Sequence, residues 1–267
     1  MMMKKRKKVN KLSVWISGDI HGNPVRFSTD NFYEQKEFSG NKDDNFVIIC
    51  GDFGLVWNFL GESKNEKYWL DWLESKPFTT LFVDGNHECF DRLDKYPVEE
   101  WHGGKVHKIR PNVIHLMRGQ VFEIEGEKFF TFGGASSHDI SDGILDMDDP
   151  DFYEKRKKLD KNPYSLYRIN HVSWWERELP SEEEMQEGIE NLKKHDNKVD
   201  FIITHSPSAS VIALLGSGLY EQDRLTKYLE EIRCNTEYKR WLMGHMHINR
   251  AVNDKDILLY EQIIRIV

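Results

Sequence analysis

Five times along this 267-residue chain an apolar run ends in a short loop of carboxylate, amide or imidazole side chains. Residues 11–17 run into Gly18-Asp19-Ile20-His21-Gly22, and residues 45–50 into Gly51-Asp52-Phe53-Gly54. Residues 80–83 run into Asp84-Gly85-Asn86-His87-Glu88. Further on, residues 199–204 meet His205-Ser206-Pro207, and residues 239–243 meet Gly244-His245-Met246-His247. Short runs of nearly continuous apolar residues read as strands covered on both faces. Asp19 and Asp52 are 33 residues apart, and Asp52 and Asn86 are 34 apart. Each interval holds one excursion, with a clear helical pattern in the second. Strand, excursion, strand with polar loops at the carboxyl ends describes βαβ units in a parallel sheet. Ligands in such sheets gather beyond the carboxyl ends of the strands.

The remaining chain fits around that frame. Residues 24–38 read as a helix-containing excursion. Residues 64–75 read as a helix whose Tyr68, Trp69, Trp72 and Leu73 face the core. Residues 105–132 carry four short apolar stretches with turns between them, the pattern of a β-meander. Residues 139–180 are dominated by charge, and so long an irregular stretch inside a compact domain is usually functional or mobile. It reads as an inserted flap, at about 135–180, anchored by Trp174 and Trp175. A capping box, Ser181 with Glu184, opens a helix over 181–195. Another helix is expected over 222–233, and strands over 257–260 and 263–267. The organisation expected is a basic tail over 1–10 and one domain over 11–267.

Composition narrows the function classes. The net charge of −8, from 37 basic and 45 acidic side chains, disfavours long duplex nucleic acid, which selects a basic face. No apolar run approaches the roughly 20 residues of a membrane span. Cys50, Cys89 and Cys234 have no metal-type spacing and cannot build a disulfide framework, which suits a reducing, cytoplasmic setting.

The chemistry lies in the collected loops. Asp19 and His21, like His245 and His247, are two apart, so on extended backbone each pair shares a side. Asp19, His21, Asp52, Asn86, His87, His205, His245 and His247 together offer three oxygen-bearing and five imidazole side chains. Oxygen and imidazole donors without thiolate suit manganese first, with iron, zinc, nickel or cobalt as alternatives. So many donors exceed one ion's needs. They imply a two-metal site with a bridging carboxylate, suited to clamping the attacking and leaving oxygens of a phosphoryl displacement.

Taken in order, Gly18-Asp19-x-His21, Gly51-Asp52-x-Gly54, Gly85-Asn86-His87-Glu88, His205 and Gly244-His245-x-His247 resemble the five motifs of the calcineurin-like metallophosphoesterases. The resemblance implies an α/β fold, a four-layer αββα sandwich of two mixed β-sheets flanked by helices. It implies that Asp19, His21 and His247 hold one divalent ion, Asn86, His205 and His245 a second, and that Asp52 bridges both. It implies in-line attack by a metal-bridging hydroxide, with His87 as proton donor to the leaving oxygen. Glu88 is expected to orient His87 or a neighbouring loop, or else to lie at the surface or cap a helix. The Asp52 loop lacks the Asp-Arg of the Ser/Thr protein phosphatases, which sets this chain apart from protein dephosphorylation. Gly133-Gly134-Ala135 with Ser173-Trp174-Trp175-Glu176-Arg177-Glu178 resembles a subgroup of small bacterial and phage-type phosphoesterases.

The expected substrate is a small phosphodiester or phosphomonoester, such as a nucleotide or cyclic nucleotide. Candidate substrate contacts are His138, Asp139, Arg168, His171 and Trp174. A nuclease acting on a single strand is the alternative within the class. A non-catalytic scaffold on the same fold is the alternative outside it.

Overall fold

A computed structural model describes residues 13–38, 41–216 and 222–267. The tail expected over 1–10 lies outside the described residues. So do the first two residues of the first expected strand.

The first sheet collects β1 (Ser13–Ser17), β2 (Asn45–Ile49), β3 (Thr79–Phe82), β4 (Val98–Trp101), β5 (Gly104–Arg110) and β6 (Val113–Leu116). The second takes β7 (Gln120–Ile124) and β8 (Glu127–Phe132). Two short parallel strands, β9 (Ile144–Leu145) and β10 (Arg168–Ile169), pair within the flap. The second sheet then continues with β11 (Phe201–Thr204), β12 (Arg240–Met243), β13 (Arg250–Ala251) and β14 (Asp256–Leu258). The last strand, β15 (Ile263–Arg265), returns to pair antiparallel with β1. Among the described residues the sheet orders are β15-β1-β2-β3-β6-β5-β4 and β13-β14-β12-β11-β8-β7. The neighbours β1, β2 and β3 are parallel, as the loop spacing required. So are β8, β11 and β12.

Alternation along these strands builds the layers. On β1 and β2, Val14, Ile16, Phe46 and Ile48 face a core shared with Phe129, Phe201 and Leu242 of the second sheet. Val47 and Ile49 point the other way, toward Leu70 and Leu73 of α1 (Lys64–Glu74). On the far side, Ile202 and Trp241 pack with residues of two helices described below, including Leu192 and Leu229. Two mixed sheets flanked by helices give the αββα sandwich expected.

The differences from expectation are local. The 24–38 excursion contains two 3-10 turns, Pro24–Phe27 and Tyr33–Glu37. The aromatic stripe of α1 is only partly inward. Leu70 and Leu73 are its buried anchors, Trp69 and Trp72 lie at the margin, and Tyr68 is exposed. Residues 105–132 are not one meander. β5 and β6 complete the first sheet, whereas β7 and β8 belong to the second. The chain crosses between layers at Met117–Gly119, where Gly119 has φ 73° and its backbone packs against Gly188. A side chain there would meet backbone, so the crossing needs glycine.

A short helix, α2 (Phe90–Leu93), follows the third loop, and α3 (Phe152–Leu159) lies in the flap. The helices α4 (Glu182–Lys194), with the expected capping box, α5 (Ala209–Gly216) and α6 (Arg224–Asn235) follow. The apolar run over residues 209–215 thus lies within a helix. No helix among the described residues is long and apolar enough to cross a membrane.

Candidate metal centre

The loops after β1, β2 and β3 deliver Asp19 and His21, Asp52, and Asn86 and His87. Those after β11 and β12 deliver His205, His245 and His247. Four of these residues have left-handed backbone: His21 (φ 44°), Asp52 (45°), His245 (65°) and His247 (49°). Each costs an L-residue roughly 1–2 kcal/mol. Strain gathered at one set of loops is a mark of function. It also corrects the geometric expectation for the paired residues. His21 and His247 lie in turns, not on extended strand, and the turns bring them back over Asp19. Gly85 is needed for space, not for backbone freedom. Its φ is not left-handed, but a β-carbon would lie 2.1 Å from Asp52 Oδ1.

Ligand atoms of Asp19, His21, Asp52 and His247 all lie within 4.8 Å of one another, a group able to hold a metal ion. His247 Nε2 is 3.2 Å from Asp19 Oδ2, and His21 Nδ1 is 3.7 Å from Asp52 Oδ2. On the other side of Asp52, His205 Nε2 is 3.3 Å from Oδ1. The Cys50 carbonyl lies 2.8 Å from His205 Nδ1. A carbonyl can only accept, so Nδ1 carries a proton, and in the neutral ring Nε2 turns a bare lone pair toward Asp52. His205 Nε2 is buried without a hydrogen-bond partner, and so is Asn86 Oδ1. Two buried acceptors left unpaired would cost several kcal/mol in purely structural loops. A cation satisfies both, so the donor set fits divalent metal.

Electrostatics within the cluster agree. Burial holds His21 below its ordinary pKa and pushes His245 well below it, so both are neutral, with lone pairs to offer. Burial works against ionisation of Asp19, yet His205, His247 and the His245 N–H hold its carboxyl below the usual range. The hydrogen bond to Asp19 raises His247.

The loops are braced from behind. Glu88 is fully buried and accepts from the N–H groups of Phe53 (2.8 Å) and Gly54 (3.1 Å), fixing the loop that carries Asp52. Of the roles expected for it, this is the neighbouring-loop one, and its burial excludes the surface one. The His87 N–H donates to Asp52 Oδ1 at 2.9 Å.

The profile of the calcineurin-like phosphoesterases matches residues 12–249. The chain belongs to the calcineurin-like phosphoesterase family. Among proteins of known name it is similar to the lariat debranching enzyme of Danio rerio, 27% identical over 177 residues, covering 60% of this chain and 27% of that protein. The lariat debranching enzyme of Schizosaccharomyces pombe is 23% identical over 258 residues, 88% of this chain and 48% of that protein. Lariat debranching enzyme A of Xenopus laevis is 26% identical over 146 residues, 49% of this chain and 25% of that protein. The chain therefore spans about half the length, or less, of these curated relatives.

The 135–180 segment reaches the cluster at two of the five expected substrate contacts. Arg168 is buried, and its Nη2 is 3.4 Å from His87 Nε2. Its Nε donates to Asp139 (2.7 Å) and its Nη1 to the Ser173 carbonyl (2.8 Å). His138 Nε2 is 3.0 Å from His245 Nε2. Asp139 thus acts on Arg168, one step from the cluster. His171 pairs instead with Asp91 of α2 at 2.8 Å, and Trp174 contributes its carbonyl to the His171 N–H. Trp175 anchors the flap as expected, fully buried, with its Nε1 donating to Asp91 (2.8 Å).

Several supporting residues escaped the sequence reading. Trp57 lies against His87, with ring centroids 5.2 Å apart. Tyr260 stacks on His247 at 4.8 Å. Arg26 donates to the Asp19 carbonyl at 2.8 Å and also to that of Tyr260. The position of Tyr260 at the end of an apolar run was a usable signal. Arg26 lies in an excursion with no pattern of its own and gave none.

Proposed function

We propose that this chain is a dinuclear metal-dependent phosphoesterase that cleaves phosphodiesters. The observation that carries the reading is a pair of buried, unpartnered atoms on the converging loops, His205 Nε2, 3.3 Å from Asp52 Oδ1, and Asn86 Oδ1. Asp19, His21 and His247 would hold one divalent ion, Asn86, His205 and His245 the other, and Asp52 both. When bound, such a pair of cations lowers the pKa of water and draws charge from phosphoryl oxygens.

The protein's own groups would supply the rest. His87 faces the same space, between Trp57, His21 and Arg168. Burial, reinforced by Arg168, holds it below the ordinary imidazole range. An arriving phosphate anion acts with the opposite sign and favours the protonated ring, which can then serve the leaving oxygen. The Arg168 guanidinium, tied down on two edges, adds a fixed positive charge where negative charge develops.

The test is turnover of bis-p-nitrophenyl phosphate with added Mn²⁺. Cleavage is expected, and no turnover with Mn²⁺, Ni²⁺, Co²⁺ or Zn²⁺ would overturn the reading. For the natural substrate, a nucleotide or cyclic nucleotide suits the acidic chain. A nucleic-acid strand is the second reading, favoured by the relatives named for debranching lariats. A branched oligonucleotide, a linear one and a cyclic nucleotide assayed side by side separate the two.

A further inference from the structure

We propose that Ser137 and Glu178, at the two ends of the flap, form a hydrogen-bond relay that fixes which end of the Asn86 amide faces the metal centre. This deepens the two-ion reading and rests on it.

An asparagine can serve a cation only through its carbonyl oxygen, because the amide nitrogen offers donors and no usable lone pair. The two ends are almost the same shape, so packing alone does not choose between them. Hydrogen-bond polarity does. Ser137 is buried at 3% exposure and Glu178 at 1%. Glu178 Oε2 receives the Ser137 N–H at 3.2 Å and the Ser137 hydroxyl at 2.7 Å. The backbone N–H can only donate, so Oε2 is an acceptor whether or not the carboxyl carries a proton on Oε1. With its one proton given to Glu178, the Ser137 hydroxyl can only accept from Asn86. It does so from Nδ2 at 3.3 Å, and Oδ1 is left buried and without a partner. Each link dictates the next: a carboxyl acceptor, a hydroxyl that must donate to it, and an amide that must donate to the hydroxyl.

The relay is built into the flap's attachment. The 133–137 strip is held between Asp84 and Glu178, with the Gly134 N–H on the Asp84 carbonyl (2.9 Å) and the Ala135 N–H on the Glu178 carbonyl (3.1 Å). Arg118 donates to the Arg177 carbonyl at 2.8 Å, pinning the other end. The Gly133-Gly134-Ala135 and Ser173–Glu178 runs, which stood out in the sequence without a role, thus meet behind Asn86. Ser137 and Glu178 are positioning residues. Neither offers an atom to the cluster.

The test is calorimetric titration of the whole chain with Mn²⁺, with the melting temperature of each variant as a check on folding. Ser137→Ala is expected to weaken one of the two Mn²⁺ sites by roughly 10-fold or more and to leave the other unchanged, as loss of a supporting partner usually does. Glu178→Leu should do the same, whereas Glu178→Gln, which keeps an acceptor oxygen, should bind both ions like the wild type. The decisive comparison uses Asn86→Asp. A carboxylate has no donor end to be turned away, so in that background Ser137→Ala should cost nothing or restore binding. A wild-type chain with two Mn²⁺ sites and a Ser137→Ala variant unchanged at both overturns the relay alone. An equal loss from Ser137→Ala in both backgrounds also overturns it, by reducing Ser137 to general packing. A wild-type chain that takes up no Mn²⁺ overturns the two-ion reading, and the relay with it.

Discussion

Two clusters of buried carboxylate and imidazole groups lie close together in this molecule, and they are completed in opposite ways. Around Asp84, at the end of β3, the polar groups close on themselves. Arg118 donates to Asp84 Oδ2 through Nε (2.9 Å) and Nη2, and His115 Nε2 meets Oδ1 at 3.1 Å. His107 completes the set against His115 at 3.2 Å. Two residues along, at Asn86, the same strand end enters a cluster that does not close. There His205 Nε2 and Asn86 Oδ1 are buried with no donor to meet them, and the backbone at four positions is left-handed. Residue types do not distinguish a structural polar cluster from a ligand site. The difference is a buried guanidinium bonded directly to the carboxylate in one and unanswered lone pairs in the other.

The first way to break the comparison is to open the closed cluster. Asp84→Ala leaves the buried Arg118 charge with Glu184 (3.2 Å) as its remaining carboxylate partner and should cost about 3 kcal/mol in urea unfolding. The fraction that folds should still take up metal. If Asp84→Ala abolished metal uptake in folded protein, the two clusters would not be separate. Asp52→Asn acts on the open cluster. It should lower turnover by more than about 10²-fold, since a direct ligand matters more than a supporting partner, and lower metal content with it, while the melting temperature of the metal-free chain changes little. His87→Ala should keep the metals and lose roughly 10²-fold in rate. Full activity of that variant on a substrate with a poor leaving group would remove His87 as proton donor.

A smaller effect separates the clusters by pH. In the closed cluster burial, with His115 adding to it, depresses His107 to about 4. The unfolded chain takes up that proton near pH 6.5, so stability is fully present above that pH. It is lost as pH falls toward about 4, at up to about 1.4 kcal/mol per pH unit. His107→Gln should flatten that stretch of the urea-midpoint profile. Asp84 is shifted the same way. Burial opposes its charge, but Arg118 and His115 hold it well below the carboxylate range, so its share of stability goes only below about pH 4. An unchanged profile in His107→Gln would mean that His107 is not buried neutral.

How much of this was legible follows from where the information sits. The five strand ends were readable because each is local, an apolar run meeting a polar loop within a few residues. The spacing of the first three then required parallel neighbours. The split of residues 105–132 between two sheets was not readable. It depends on the crossing at Gly119, whose need for glycine comes from Gly188, far along the chain. Ser137, Glu178 and Arg118 were silent for the same reason. Their partners are 34 to 66 residues away in sequence, and nothing local marks a serine that must donate to one neighbour and accept from another. Asp84 lay inside the most prominent motif. Even so, only its pairing with Arg118 separates its role from that of Asn86.

The most direct test of the account is elemental analysis of the purified chain after equilibration with Mn²⁺ and removal of unbound ion. About two ions per chain are expected for the wild type and for Asp84→Ala that has folded, with a clear loss in Asp52→Asn. A wild-type chain carrying close to none would mean that the unpaired lone pairs around Asp52 await something other than metal, and would contradict the account at its centre.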